Sequence, residues 1–422
     1  MSAPPTNWAG NVRFQAEQLH TPRTLERLQT LVAGSRSIRA LGTGHSFNRI
    51  ADTTGDLVSV SGLPQTCEID PQRSTATVSA GMRYGEVATS LDAAGYALSS
   101  LGSLPHISVA GAVAAGTHGS GNTVGNLSTA VSALRIVCAD GRLVDLDRET
   151  GGDEFCGAVV GLGALGIVTR VTLRVVPTFE MRQWVYDDLP RGEVGAHIEE
   201  ILGNAYSVSL FTDWRSACFQ VWLKQRLHES EVAEPPVRWL GAILADGPRH
   251  PITGMPVVNC TEQLGVPGPW HARLPHFRME FTPSSGQELQ SEYLLPREHA
   301  VDALTALERI RDRLGPLVQV SEIRTVAADD LWMSPSYGRD TVAIHFTWVP
   351  DAAAVTPVLG AIEELLAPFD PRPHWGKLFT TSPAALANTY ERYADFTTLM
   401  HRYDPTAKFR NELLDSWFPR DV

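Results

Sequence analysis

Apolar and polar positions alternate in short runs along most of this chain, and glycines and prolines separate the runs. That pattern predicts many short strands and few long helices. In the N-terminal part SIRALG leads into the glycine turn GTGHSFN, and strand-like pieces follow at Leu57–Val60 and Thr75–Val78. MRYGEVATSLDAAG switches to helical periodicity and stops at Gly95, a residue suited to a C-terminal cap. ALRIVCADGRLVDL reads as a hairpin, two alternating strands around Asp140-Gly141, a dipeptide that suits a tight primed turn. GLGALG and the β-branched strand IVTRVTLRVV come next, closed by Pro177.

Beyond Pro177 aromatic and longer polar residues take over. Strand patterns recur at Tyr206–Thr212, Phe219–Lys224, Leu317–Thr325 and Thr341–Trp348, and helical ones at His299–Leu314, Thr356–Leu366 and Ala384–Met400. Pro235, Pro236, Pro248, Pro251 and Pro256 mark loops between them. At 422 residues the chain exceeds one typical domain of ~150 residues, so two domains of α+β type are expected. The texture places their boundary near residue 178.

Composition narrows the function classes. A 43% hydrophobic, 19% charged chain can bury a large core, which excludes disorder. The net charge of −12, with no basic block, speaks against nucleic-acid binding and for a small substrate. Cys67, Cys138, Cys156, Cys218 and Cys260 are odd in number and form no CxxC pair, so neither a disulfide framework nor a zinc site is expected. The N-terminus lacks a cationic start and an apolar stretch. The longest apolar region, Ala158 to Val176, is interrupted by Arg170, Arg174 and glycines. A cytoplasmic protein away from membranes is the expectation.

Gly161, Gly163 and Gly166 satisfy GxGxxG, but a strand follows where a dinucleotide-binding helix should open, and no acidic residue lies about 20 positions on. Gly42-Thr43-Gly44-His45-Ser46 and the small-residue run Ser108 to Gly121 are more informative. Bare glycine backbone can approach phosphate oxygens, and the Thr and Ser hydroxyls add donors. Either segment alone could be tight packing, yet two in one domain suggest a long phosphate-bearing cofactor. His271, His276 and His299 fall in proline-broken loops at spacings no common zinc motif uses, which points to surface or packing roles.

Two strands carry the polar candidates. Alternation puts Val318, Val320, Glu322 and Arg324 on one face of the first. In the second, Val342, Ile344, Phe346 and Trp348 read as core, opposite Thr341, Ala343, His345 and Thr347. If the strands are neighbours, Glu322, Arg324, His345 and Thr347 converge. The convergence suits a ligand made of hydroxyl groups; a structural Glu–Arg pair beside a core histidine is the plainer alternative.

GTGHSFN, SLPHISVAGAVAAGTHGSG, GALGIVT, EIRTVAAD, HFTW, RPHWGK and DPTAKF, in this order and over essentially the whole chain, resemble the FAD-dependent oxidases of the vanillyl-alcohol-oxidase type. Within them the alditol oxidases are the nearest likeness, with aldonolactone oxidases as cousins. The resemblance implies a two-domain fold: an FAD domain of two small sheets with helices over 1–178, a substrate domain over 179–378, and C-terminal helices over 379–422 returning to the first. It implies FAD attached covalently through His45. Ala40, Leu41, Gly42, Thr43, Gly44 and Ser46 would wrap the pyrophosphate, with Ser103, Ser108, Gly111, Ala112, Val113, Ala114 and Val168 lining the cofactor; a packing role for His118 is at least as well supported. Ser103, Gln290, Glu322, Arg324, His345, Thr347 and Lys377 match the polyol-binding set. Arg324, His345 and Lys377 would stabilise the developing alkoxide, His345 being the candidate proton acceptor, and Glu322 would orient Arg324. Lys377 also matches the cation at the flavin edge. The implied reaction is hydride transfer from a terminal alditol hydroxyl carbon to flavin N5, with O2 reduced to H2O2, by a monomer. Lactone oxidation and a flavin carrier without catalysis are the alternatives.

Overall fold

In the computed structural model, residues 6–227, 234–281 and 287–420 are described. Residues 1–5 of the N-terminal segment lie outside them. Two antiparallel sheets part the chain close to Pro177. The first has five strands in the order Cys67–Asp70, Thr75–Ser79, Ile167–Arg174, Val131–Val137, Leu143–Asp147. Its central strand shows why: Ile167, Thr169, Val171 and Leu173 are buried while the residues between them are not. A parallel sheet of Gln18–His20, Asp56–Val58 and Ile38–Ala40 stands beside it.

The hairpin forms, with a different turn. Val137 pairs with Leu143, and the Gly141 N–H donates to Cys138 O at 2.9 Å. Gly141 alone adopts positive φ (84°); a primed turn would need Asp140 there as well. The loop is therefore three residues, Ala139-Asp140-Gly141, a type I turn closed by a left-handed glycine.

The second sheet has ten strands among the described residues, all antiparallel. Its centre runs Glu180–Pro190, Cys218–Arg226, Ser207–Thr212, Val318–Val326, Thr341–Trp348, Leu289–Pro296. Helices Arg191–Leu202, Ala300–Glu308 and Ala352–Leu366 cover one face, where Leu210, Ile323, Ile344, Phe346 and Trp348 join one core cluster. The other face is left for the site.

Several elements depart from expectation. Glu180–Pro190 and Leu289–Pro296 were not foreseen, because a bulge between Tyr186 and Leu189 breaks the first alternation and polar inward residues mask the second. The long C-terminal helix is two, Pro383–Thr389 and Tyr393–Tyr403. Tyr390 turns extended between them and packs against Trp375 with ring centroids 4.9 Å apart. The predicted 299–314 helix also breaks, at Ile310. Phe396, Leu399, Trp417 and Phe418 return to the core of the first part, beside Phe155 and Trp332. By length and composition Ala352–Phe369 could cross a membrane, but Val355, Leu359, Ile362 and Leu366 are buried on the sheet.

Candidate active site

A cavity of about 840 Å³ lies between the helix-free face of the ten-stranded sheet and the glycine-rich segments of the first part. Ala40 to Ser46 line it, as do Ser103, Ser108, Gly111, Ala112, Ala114 and Val168. Val113 does not. It follows Val109 by one helical turn, and both side chains enter the core, while Ala110 and Ala115 face the cavity instead. Gly163 and Gly166 of the GxGxxG run also line it, ahead of the strand Ile167–Arg174.

The first glycine turn is shaped for close approach. A Cβ on Gly42 would lie 2.3 Å from Ser108 Oγ, so any larger residue would force that hydroxyl aside. His45 shares a 3.0 Å hydrogen bond between Nδ1 and Thr43 Oγ1, and Trp8 stacks on its ring. Its Nε2 is buried without a hydrogen-bond partner. Burial, then nearby His106, lowers the imidazole pKa to about 4, so the ring is neutral at pH 7.

Opposite this wall, three strands align the polar residues in rows. Glu322 pairs with His345, and His345 with Glu292. Val320 pairs with Thr347, and Thr347 with Gln290. A bulge at Gln319 corrects the expected face: Val318 sits opposite Trp348 in the helix-side core, whereas Val320 faces the cavity.

Glu292 is the hub, and the sequence reading missed it. Lys377 Nζ donates to its Oε2 at 2.6 Å and Arg324 to its Oε1 at 2.7 Å, with His118 Nε2 at 3.3 Å. Lys377 Nζ also donates to His345 Nδ1 at 2.7 Å, which leaves the ring proton on Nε2 for Thr347 Oγ1, 3.1 Å away. Arg324 reaches Ser103 Oγ at 3.2 Å and lies 3.5 Å from Glu322 Oε2. Gln290 donates to Glu288 at 2.6 Å. The signal for Glu292 was the polar pair Gln290 and Glu292, alternating with Leu289, Ser291 and Tyr293.

Lys377 arrives on the HWGK turn, which Asn48 ties to the glycine segment by donating to the Trp375 and Lys377 carbonyls, each at 2.8 Å. Burial alone would raise the Glu292 and Glu322 pKa values. Lys377, His118 and Arg324 outweigh it at Glu292, as Arg324 and His276 do at Glu322, and both carboxyls stay well below the usual range. Burial, then Lys377, pushes His345 well below an ordinary histidine. The two carboxyls are thus held ionised beside a neutral imidazole, while burial, opposed by Glu292, lowers Lys377 from an ordinary lysine.

His276 packs in the interior, one of its two expected roles, and also joins the site. Far from the surface, it donates from Nε2 to Glu322 Oε1 at 2.7 Å. The loop that carries it has no periodicity, so spacing gave no sign of this. His271 stands apart, 3.4 Å from Asp92, and His299 lies by Glu298.

Residues 16–147 match the FAD-binding-domain family model, and 284–417 match that of D-arabinono-1,4-lactone oxidase. The alditol oxidase of a Streptomyces species is 52% identical over 98% of this chain and 99% of its own. The L-gulono-1,4-lactone dehydrogenase of Mycobacterium tuberculosis is 28% identical over 96% and 97%. A solved cholesterol oxidase from B. sterolicum superposes with a TM-score of 0.77 at 16% identity, covering 98% of this chain and 96% of that one, a likeness of fold. The fold is that of the vanillyl-alcohol-oxidase type, the cavity is walled by its FAD-binding domain, and the chain belongs to the alditol oxidase family of FAD-dependent oxidases.

Proposed function

We propose that this protein oxidises the terminal hydroxyl of alditols of the xylitol and sorbitol type to the aldose, with O2 reduced to H2O2. One observation carries the reading: Arg324 Nε is buried without a hydrogen bond, 3.5 Å from Glu322 Oε2 in the cavity wall. A hydroxyl seated alongside this pair accepts from the guanidinium and donates to the carboxylate, using both at once. Ser103, Gln290 and Thr347 extend the same wall for hydroxyls further along the substrate.

The residues on the other wall fit FAD: the Gly42 cradle against Ser108, the hydroxyl of Thr43, and the buried, unpartnered Nε2 of His45. FAD held there would supply the acceptor for the substrate's hydride, and the hydride and hydroxyl proton would end together on O2 as H2O2. A neutral imidazole at His45 is the form able to attach it covalently. Arg324 and Lys377 stabilise the negative charge that develops on the reacting oxygen, held in place by Glu292. His345 is engaged through both ring nitrogens, so we assign it the orientation of Lys377 instead of direct proton abstraction. Five free thiols fit a reducing cytoplasm.

A second reading, oxidation of aldonolactones, draws on the family-model match over 284–417. Peroxide release with xylitol or sorbitol against gulono-lactone separates the two. Faster turnover of the alditols supports the first; turnover of lactones alone refutes it. For the covalent bond, acid-precipitated wild-type protein stays yellow and His45→Ala releases its flavin. Flavin retained by that variant removes His45 as the attachment point.

A further inference from the structure

Behind Glu322 lies a second lysine–histidine pair that the proposed reaction does not use. Lys224, on the Cys218–Arg226 strand, is 1% exposed. Its Nζ donates to the carbonyls of Leu274 and Pro275, the latter at 3.1 Å, and to His276 Nδ1 at 3.1 Å. Three acceptors use all three N–H groups of an ammonium. Accepting at Nδ1 leaves the imidazole proton on Nε2, which points at Glu322 Oε1. The ring is held edge-on by Trp222 and Phe211, with centroids at 5.3 and 5.5 Å, and its backbone N–H donates to Ser103 O at 3.1 Å.

We propose that Lys224 and His276 are positioning residues: the lysine keeps His276 a neutral Nε2–H donor, which pins one oxygen of Glu322 and presents the other, fully charged, to Arg324 and the substrate. This rests on Glu322 accepting a substrate hydroxyl. Without the lysine, an imidazole against a carboxylate takes up a proton and cancels the charge that the hydroxyl and Arg324 require. The charged and titratable groups facing the pair are Glu322 and Arg324 on their strand, His345 on the next and Cys260 beside Lys224. Burial, then Lys224, lowers His276 to about 4, and burial lowers Lys224 to about 7. The acid side of neutrality is therefore the informative one, with Lys224 charged and His276 neutral.

The test is kcat/KM on an alditol as pH falls from about 7 to about 5. Wild type stays level. Lys224→Met gains an acid limb between the ordinary histidine value of ~6.5 and about 4, since burial still lowers His276, and loses several-fold at pH ~5. His276→Gln, whose amide accepts from Lys224 and donates to Glu322 without titrating, stays within about threefold of wild type, and added to Lys224→Met it abolishes the limb. His276→Leu loses about 10- to 100-fold, mainly through KM, for a hydrogen bond to a charged group. Parallel profiles for wild type and Lys224→Met overturn the proposal, and so does equal damage from Gln and Leu at 276. Should Lys224→Met not fold, the two His276 variants decide. A wild type active on lactones alone refutes the alditol reading, and the same profiles are then measured with the lactone.

Discussion

Arg324 shows what a single residue contributes here. Its guanidinium is the counter-charge of two buried carboxylates, Glu292 and Glu322, and it lines the cavity with one buried N–H, at Nε, left without a hydrogen bond. Arg324→Ala therefore lowers kcat/KM by about 10²- to 10³-fold, the usual loss of a preorganised donor to a developing oxyanion. It also takes one counter-charge from two buried carboxylates that Lys377 and His276 still hold, a cost below the about 3–5 kcal/mol of a fully broken buried pair. Peroxide kinetics and thermal unfolding check both, and the flavin should remain bound; near-normal turnover would remove Arg324 from the site. At this scale the sequence was legible where strand alternation set polar residues against an apolar face, as at Glu322, Arg324, His345 and Thr347. Glu292 escaped because Ser291 interrupts the apolar face and Leu294 the polar one, which hides the alternation of its strand. Lys224 and His276 escaped because one reads as a strand lysine and the other sits in a loop whose path no periodicity encodes.

Among the elements, the glycine turn and the helix Val109–Ala114 meet at one contact. Ser108, at the head of that helix, occupies the space a side chain on Gly42 would need. Gly42→Ala should reduce the flavin-to-protein ratio, and adding Ser108→Ala should restore part of it, since Ser108 Cβ lies 3.6 Å from the new methyl. Equal loss in single and double variants would place the defect elsewhere. Strands with one apolar face were readable in advance, among them Ile167–Arg174 and Thr341–Trp348. Elements with bulges or breaks were not: the Gln319 bulge turns Val318 away from its neighbours, and Tyr390 splits a helix that periodicity draws as continuous. Those choices are made by tertiary contacts, Trp348 in one case and Trp375 in the other.

The whole molecule brings the two parts together around buried titratable groups, and that gives its stability a pH dependence of definite sign. His276 and His374 are lowered by burial to about 4 and about 3. The unfolded chain takes up protons there below about 6.5, while the folded one does so only near 4 or 3. Their contribution is fully present above pH 6.5 and is lost as pH falls through 4, on the order of 2 kcal/mol each at pH 5. Glu292 and Glu322, also depressed, add loss in the same direction below the ordinary carboxylate range. The unfolding temperature should fall steadily from pH 7.5 to 5 in thermal melts; a flat or rising profile would contradict the burial of these groups. The division near Pro177 was visible as a change of texture. The cavity between the parts was not, because its walls come from segments more than 300 residues apart, such as His45 and Lys377. In the proposed reaction an alditol is held by Arg324 and Glu322 against a flavin carried by the glycine segments. Anaerobic mixing with xylitol, followed by the flavin's visible absorbance, tests it most directly. Rapid bleaching by xylitol and little by gulono-lactone is the predicted result, and a flavin that stays oxidised with every alditol while a lactone bleaches it would contradict the account.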